Sequence, residues 1–304
     1  MIPQSKTART AVLAGIGLML AGMFLFSIND AMGKWLVATY SVGQLLLIRS
    51  VAALVLLAPF VWREGIKAYT NMERPGLQAL RALLSTVEVA FFYWAVAYLP
   101  LADVVTFYLA GPIYVTALSV ILLGEHVGWR RWTAVIVGFI GVLIALRPSA
   151  ASFTWPALIA LAGSVIFAFF MIITRIVRAT SDAVLVGTQT VGALVFGIIA
   201  TPFGWVTPSL RDFLLLALLG IIALIAHACT NRSLKLAPAS VVVPYQYTLI
   251  VWAVVFGYFV FGDVPETLLL AGGAIIVAAG IFIFLREQAT APPDRPPVPP
   301  EPHA

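Results

Sequence analysis

Residues Leu20–Leu36 read LAGMFLFSINDAMGKWL, and their opening, LAGMFLF at Leu20–Phe26, returns as LAGSVIF at Leu161–Phe167. Moving outward, SVAALV (Ser50–Val55) returns as TVGALV (Thr190–Val195), and GVLIALR (Gly141–Arg147) as GIFIFLR (Gly280–Arg286). LLGE at the end of one apolar run matches VFGD at the end of another. The offset drifts only between 138 and 141 residues, so the chain reads as two related halves.

The composition says where those halves reside. Of 304 residues, 62% are hydrophobic and 10% charged, with a mean hydropathy of +1.02. A soluble domain carries about 25% charge, so this chain lacks the polar surface to fold in water. Lipid solvates apolar outer faces, which makes the bilayer the first expected partner. The net charge of +5 is no nucleic-acid signal here, because in a membrane protein the placement of Lys and Arg matters more than their sum. The single cysteine, Cys229, excludes an internal disulfide and reads as a small apolar residue. MIPQSKTART at the start precedes an apolar run with no small-residue cleavage site, the mark of a retained first span.

Apolar runs of about 20 residues predict transmembrane helices. Ten are expected, at 10–33, 43–61, 77–98, 102–123, 131–147, 155–176, 183–203, 211–231, 239–261 and 267–285. The joints carry Gly and Pro where helices must stop, as in YLPLAD, LLGEHVGWRR, LRPSAASFTWP and FGDVPE. The first five-helix repeat is expected over 1–148, the second over 149–287, and a disordered proline-rich tail over 288–304. The fold class is therefore an all-α polytopic membrane protein, ten helices as two inverted repeats around a central cavity. The inversion follows from the odd number five: a first half that begins inside leaves the second to begin outside. With the N-terminus cytoplasmic, 13 of the 18 Lys and Arg fall on inner flanks and only Arg147 and Arg211 on outer ones, an asymmetry that predicts both termini inside. Inverted repeats give two near-equivalent conformations, one open to each side.

FYLAGPIYVTALSVILLGEHVGWRRWTAVIVGFIGVLIAL (Phe107–Leu146) resembles the closing part of an EamA-type domain of the drug/metabolite transporter superfamily. Pro112 within the fourth helix, Gly124-Glu125 at its end and a Gly-rich fifth helix carry the resemblance. LKLAPASVVVPYQYTLIVWAVVFGYFVFGDVPE (Leu234–Glu266) is similar to the second copy, with Gly262-Asp263 in place of Gly-Glu. The resemblance covers roughly residues 10–286. It implies a bacterial inner-membrane exporter of amino acids, aromatic ones included, or of other small metabolites, whose first, third, fourth, sixth, eighth and ninth helices face a cavity. Substrates vary across such a family, so fold does not settle cargo.

Polar residues inside the spans are candidates for the site. Asp30 and Lys34 share a helix face four residues apart, and Arg49 lies at similar depth on the next helix. The three read as an ion-paired clasp between helices or as an outer gate. Arg81 and Glu88, seven apart, share a face of the third helix. Arg81 is expected near the inner end, reaching headgroup phosphates. Glu88 is mid-membrane and must pair, protonate or face water; cavity lining and a helix-to-helix pair remain equal readings. His227 and Asn231 face one way on the eighth helix, as packing residues or as a hydrogen-bonding wall or proton carrier. On the ninth, Pro244 bends the helix, and Tyr245, Thr248 and Trp252 follow on one expected face. Tyr93, Trp94 and Tyr108 add aromatic candidates. Together they predict a mainly apolar pocket with few polar groups, suited to a small amphiphile such as a neutral or aromatic amino acid.

The motifs of competing classes are missing. There is no G-x-x-x-x-G-K-[ST] loop, no H-E-x-x-H and no G-x-S-x-G. His126 in a loop, His227 and His303 in the tail assemble no metal site, so neither an enzyme nor a cofactor is expected. The reading is a secondary transporter or facilitator, with neutral or aromatic amino acid export first and a vitamin, nucleoside-like compound or drug as the alternative. Its partners would be a small-molecule substrate and, as a candidate, a coupling proton. A passive channel would instead show a selectivity filter.

Overall fold

The computed structural model describes residues 6–70, 72–99, 101–146, 154–262 and 267–289. All regular structure among them is helical. Among the described residues, seven helical segments are long and apolar enough to cross a membrane, and three shorter apolar helices, Gly111–Leu123, Trp132–Ile144 and Leu270–Ala279, accompany them. Large apolar side chains face outward, with Trp62, Phe203 and Phe259 almost fully exposed. Such a surface needs lipid as its solvent, and the protein is a multi-pass membrane protein.

In the first half, α1 (Lys6–Val37) and α2 (Val42–Glu64) meet at Tyr40 and Ser41. The Ser41 hydroxyl caps α2 by accepting from the Gln44 N–H at 3.3 Å, satisfying an orphan donor. Short α3 (Ile66–Thr70) precedes α4 (Pro75–Tyr98), and the next expected span is divided into α5 (Leu101–Tyr108) and α6 (Gly111–Leu123). Gly111 and Pro112 open α6, since Pro supplies no N–H to continue the α5 ladder. Gly124, at φ 64°, ends α6; α7 (Trp129–Leu146) closes the half.

The second half repeats the order with α8 (Trp155–Ile176), α9 (Asp182–Ala200) and α10 (Leu210–Leu236). Ser181 and Ser209 cap α9 and α10 as Ser41 caps α2. The ninth expected span is not one α-helix. It runs as α11 (Ala239–Val242), a 3₁₀ stretch (Val243–Thr248), α12 (Leu249–Phe256) and a π turn (Gly257–Phe261). Helix α13 (Thr267–Ala289) completes the fold. Apart from residues 288 and 289, the proline-rich tail lies outside the described residues, as does Asp263.

The halves interleave. The main helix pairs are α1 with α10, α2 with α9, α4 with α8 and α7 with α13, and α6 meets α11 and the 3₁₀ stretch. In order along each half, first meets third, second meets second, fourth meets fourth and fifth meets fifth. Exchanging the halves maps this set onto itself. One apolar core gathers Leu45, Leu46, Tyr93, Leu109, Leu216 and Leu219; a second gathers Met19, Met23, Phe170, Ile172, Leu234 and Val242. Two polar regions lie between them.

Candidate functional site: a charged, aromatic-walled cavity

Tyr93 holds the first of these regions together. Its hydroxyl donates to Asn29 Oδ1 at 2.7 Å and accepts from Arg49 Nη1 at 3.3 Å, while Asn29 Nδ2 donates to the Leu219 carbonyl at 2.7 Å. The relay joins α1, α2, α4 and α10. Two glycines make room for it. A Cβ on Gly33 would lie 2.2 Å from Tyr93 Cε1, and one on Gly220 would lie 1.9 Å from the Arg49 carbonyl oxygen. Backbones therefore approach closely where the relay is built.

Beside the relay opens a cavity of about 70 Å³, walled by Asp30, Arg49, Glu88, Tyr93, Tyr108, His227 and Gln246 among others. Phe26, Phe92 and Phe167 supply its apolar wall. The Tyr108 hydroxyl donates to the Glu88 backbone carbonyl at 3.2 Å, and its ring meets Phe92 edge-on at 5.3 Å. His227 packs edge-on to Phe26 at 4.9 Å, and its buried Nδ1 has no hydrogen-bond partner. It also borders a smaller neighbouring pocket with Arg49, Ser85 and Gln189. Neither amide atom of Gln246, a residue 2% exposed, meets a partner. An unpaired buried amide costs about 1–3 kcal/mol.

Arg81 anchors the second region and overturns the headgroup expectation. It is 0% exposed, because its guanidinium turns inward between α8, α9 and α10. Its Nε donates to Thr174 Oγ1, Nη1 to the Leu185 carbonyl, and Nη2 to Gln189 Oε1 and Asn231 Oδ1, all at 2.8–3.0 Å. The Phe170 ring lies 4.9 Å from Cζ, a cation–π contact. A charge that costs about 2.5–3.5 kcal/mol to insert is thereby held by four neutral acceptors. Asn231 belongs to this knot, although it shares a helix face with His227.

The expected candidates thus divide. Asp30, Arg49, Glu88, Tyr108 and His227 meet at the cavity. Lys34, partly buried one turn beyond Asp30, is not in its wall. Trp94 is corrected: it is 46% exposed and packs near Trp155 at 6.3 Å, away from the cavity. So are Tyr245, Thr248 and Trp252. Tyr245 joins the second core, Thr248 donates back to the Tyr245 carbonyl at 2.7 Å, and Trp252 packs on Phe24 at 4.7 Å. In the 3₁₀ stretch residues three apart eclipse, so Tyr245 and Thr248 share one face, and it is the next face, with Gln246 and then Leu249, that borders the cavity. Gln246 and Asn29 were missed; each is a lone polar residue in an apolar run beside a more conspicuous neighbour.

A third polar cluster sits at one end of the molecule. Gly124 aims Glu125 across to the start of α11, where its carboxylate accepts from the N–H groups of Ala239 and Ser240 at 3.0 Å and the Ser240 hydroxyl at 2.6 Å. Arg175 lies 3.9 Å from it and also donates to the Leu234 carbonyl. Lys235 pairs with Asp182 at 2.6 Å. At the opposite ends of α1 and α10, the Tyr40 hydroxyl donates to Asp212 at 2.7 Å, which pushes the phenol above its ordinary pKa.

The model of the EamA-like transporter family matches residues 13–147 and again 154–286. The chain belongs to the EamA-like transporter family. Over 276 residues it is 29% identical to an S-adenosylmethionine uptake transporter of Rickettsia bellii, covering 90% of this chain and 94% of the relative. A riboflavin transporter of Vibrio cholerae is 26% identical, covering 89% and 93%. A pseudopaline exporter of Pseudomonas aeruginosa is 25% identical, covering 89% and 95%. One solved crystal structure shares the fold with a TM-score of 0.72 at 17% identity, covering 93% of this chain and 98% of its own. The chain is thus a membrane transporter of small metabolites.

Proposed function

We propose that this protein is a secondary carrier for zwitterionic metabolites of net positive charge, of the S-adenosylmethionine type, working by alternating access in a bacterial inner membrane. The carrying observation is the convergence of Asp30, Glu88 and Arg49 on one aromatic-walled cavity. With all three ionised the wall bears one excess negative charge, which must be balanced inside a membrane. S-adenosylmethionine bears an ammonium, a sulfonium and a carboxylate, a net charge of +1. Arg49 suits the carboxylate; Asp30, Glu88 and the rings suit the cations. A proton on a carboxylate balances the same charge in the empty carrier, which supplies a coupling ion.

The relatives' substrates favour this alternative over amino acid export. Alternating access is supported by the interchange of halves among the helix pairs and by the two broken fourth segments, α5–α6 and α11–α12. Interrupted helices at corresponding places in two repeats are the usual walls of a carrier site. At about 70 Å³ the cavity is well below the roughly 300–1,000 Å³ of ligand pockets, as befits a contracted state that opens by relative movement of the halves. The apolar rings also suit a neutral flat heterocycle such as riboflavin, the second reading.

Counterflow in proteoliposomes tests the proposal. Saturable exchange of labelled S-adenosylmethionine, faster than that of riboflavin or phenylalanine, is expected; exchange of phenylalanine but not S-adenosylmethionine would overturn it. Single cysteines at Thr10 and Thr154 should label from opposite faces of the membrane, with the termini cytoplasmic. Labelling from one face removes the inversion.

A further inference from the structure

Gln246 is the one wall residue whose amide donor and acceptor are both open, although the side chain is almost wholly buried. Its own backbone is engaged, since the Leu249 N–H bonds back to the Gln246 carbonyl. The amide projects over Gly111, where a Cβ would lie 3.6 Å from Oε1 and 3.8 Å from Phe167 Cδ1. A primary amide and the edge of the Phe167 ring therefore both border a residue with no side chain. Phe167 in turn lies 6.1 Å from Tyr108 across the same wall.

An open donor and acceptor side by side read a ring edge that offers the complementary pair. The 6-amino group and N7 of adenine are such an edge, and glutamine pairs with it through two bonds. We infer that Gln246 is the specificity-determining residue for an aminopurine ring: Oε1 accepts from the exocyclic amine, Nε2 donates to N7, and the ring lies against Phe167 and Tyr108. Hypoxanthine presents two acceptors on that edge, so Oε1 would face an oxygen. This deepens the proposed function and rests on it only for the other half of the solute, held by Asp30, Arg49 and Glu88.

Adenosine and inosine test the ring alone. The full chain, purified in detergent, is melted with each nucleoside, and each competes with labelled S-adenosylmethionine in counterflow. Adenosine should raise the melting temperature and compete about tenfold better than inosine, as a site built to hydrogen-bond one edge rejects the analogue that lacks it. Gln246→Leu should melt no lower than the parent without ligand, yet lose the preference for adenosine. Gln246→Glu keeps an acceptor for the exocyclic amine but turns a second acceptor on N7, so it should bind adenosine less well than the parent while still binding inosine worse. Equal responses to the two nucleosides in the parent, no response to either, or a preference surviving in Gln246→Leu would each overturn the inference. If S-adenosylmethionine does not move but adenosine discrimination depends on Gln246, the proposed cargo falls and the purine site stands. If S-adenosylmethionine moves while adenosine and inosine act alike, the purine site falls alone.

Discussion

Arg81 and Gln246 are both buried polar side chains between helices, yet their surroundings differ. All three guanidinium nitrogens of Arg81 are bonded, to acceptors on α8, α9 and α10. Around Gln246, the amide is open at both ends, His227 Nδ1 is open, and two carboxylates and one guanidinium line the same cavity. A buried guanidinium with every nitrogen bonded holds helices together; a buried amide left open at both ends pays for its openness only if a ligand completes it. Structure and transport should therefore separate between the two regions.

The separation breaks most visibly at Arg81. Arg81→Met leaves four acceptors without their donor. Bonds inside membrane proteins average about 0.6 kcal/mol, and unmade buried ones cost about 1–3 kcal/mol, so the loss should total about 3–5 kcal/mol. Thermal unfolding of the purified chain should show it as the largest fall of any variant considered. Arg81→Lys should rescue little, because a point charge cannot meet four acceptors arranged for a planar fork. A normal melting temperature in Arg81→Met would show that the knot is not structural.

Glu88→Gln sharpens the contrast from the other side. The side chain keeps its size while the charge goes. Counterflow of S-adenosylmethionine should fall about tenfold or more, equivalent to about 1.4 kcal/mol, at unchanged melting temperature and membrane expression. Unchanged flux would remove Glu88 from the site.

These outcomes also mark how far the sequence could be read. Asp30, Arg49, Glu88 and Tyr108 were found because a charge or tyrosine deep in an apolar run demands a partner or a cavity, whatever the packing. The depth and direction of Arg81 were not legible, since Thr174, Gln189 and Asn231 lie on three other helices. Tyr93 and Trp94 are both aromatic candidates in the sequence, but adjacent residues on a helix point about 100° apart, and only the packing tells which faces inward. On the ninth segment the sequence shows a possible face, Tyr245, Thr248 and Trp252, but not which way that face turns, and it is Gln246 and Leu249 that border the cavity. The break after Tyr108 had only Gly111-Pro112 to announce it.

A smaller effect tests the relay beside the cavity. In Gly33→Ala the new Cβ would drive Tyr93 from its place, at about 1–3 kcal/mol for an overpacked site. The Asn29–Tyr93–Arg49 bonds should loosen, and the substrate concentration for half-maximal counterflow should rise several-fold. Gly17→Ala on the same helix has nothing within 4 Å of its Cβ and should leave transport unchanged. Equal behaviour of the two variants would mean that the relay does not set the cavity.

The smallest expected change is at Glu125, the cluster farthest in character from the cavity. Glu125→Gln keeps an oxygen that can accept from Ala239 or Ser240, but loses the charge that strengthens those bonds and attracts Arg175 at 3.9 Å. Charge-assisted bonds are stronger than neutral ones, whereas a pair with some access to solvent contributes about 0–1 kcal/mol. The melting temperature should therefore fall by much less than in Arg81→Met. Transport rate can shift, since Glu125 ties α6 to the broken ninth segment and any rocking of the halves must work against that tie. The preference for adenosine over inosine should stay, because Glu125 touches nothing in the cavity wall. A variant at this position that changed the preference would show that the ends of the helices, and not the open amide of Gln246, decide what the carrier holds.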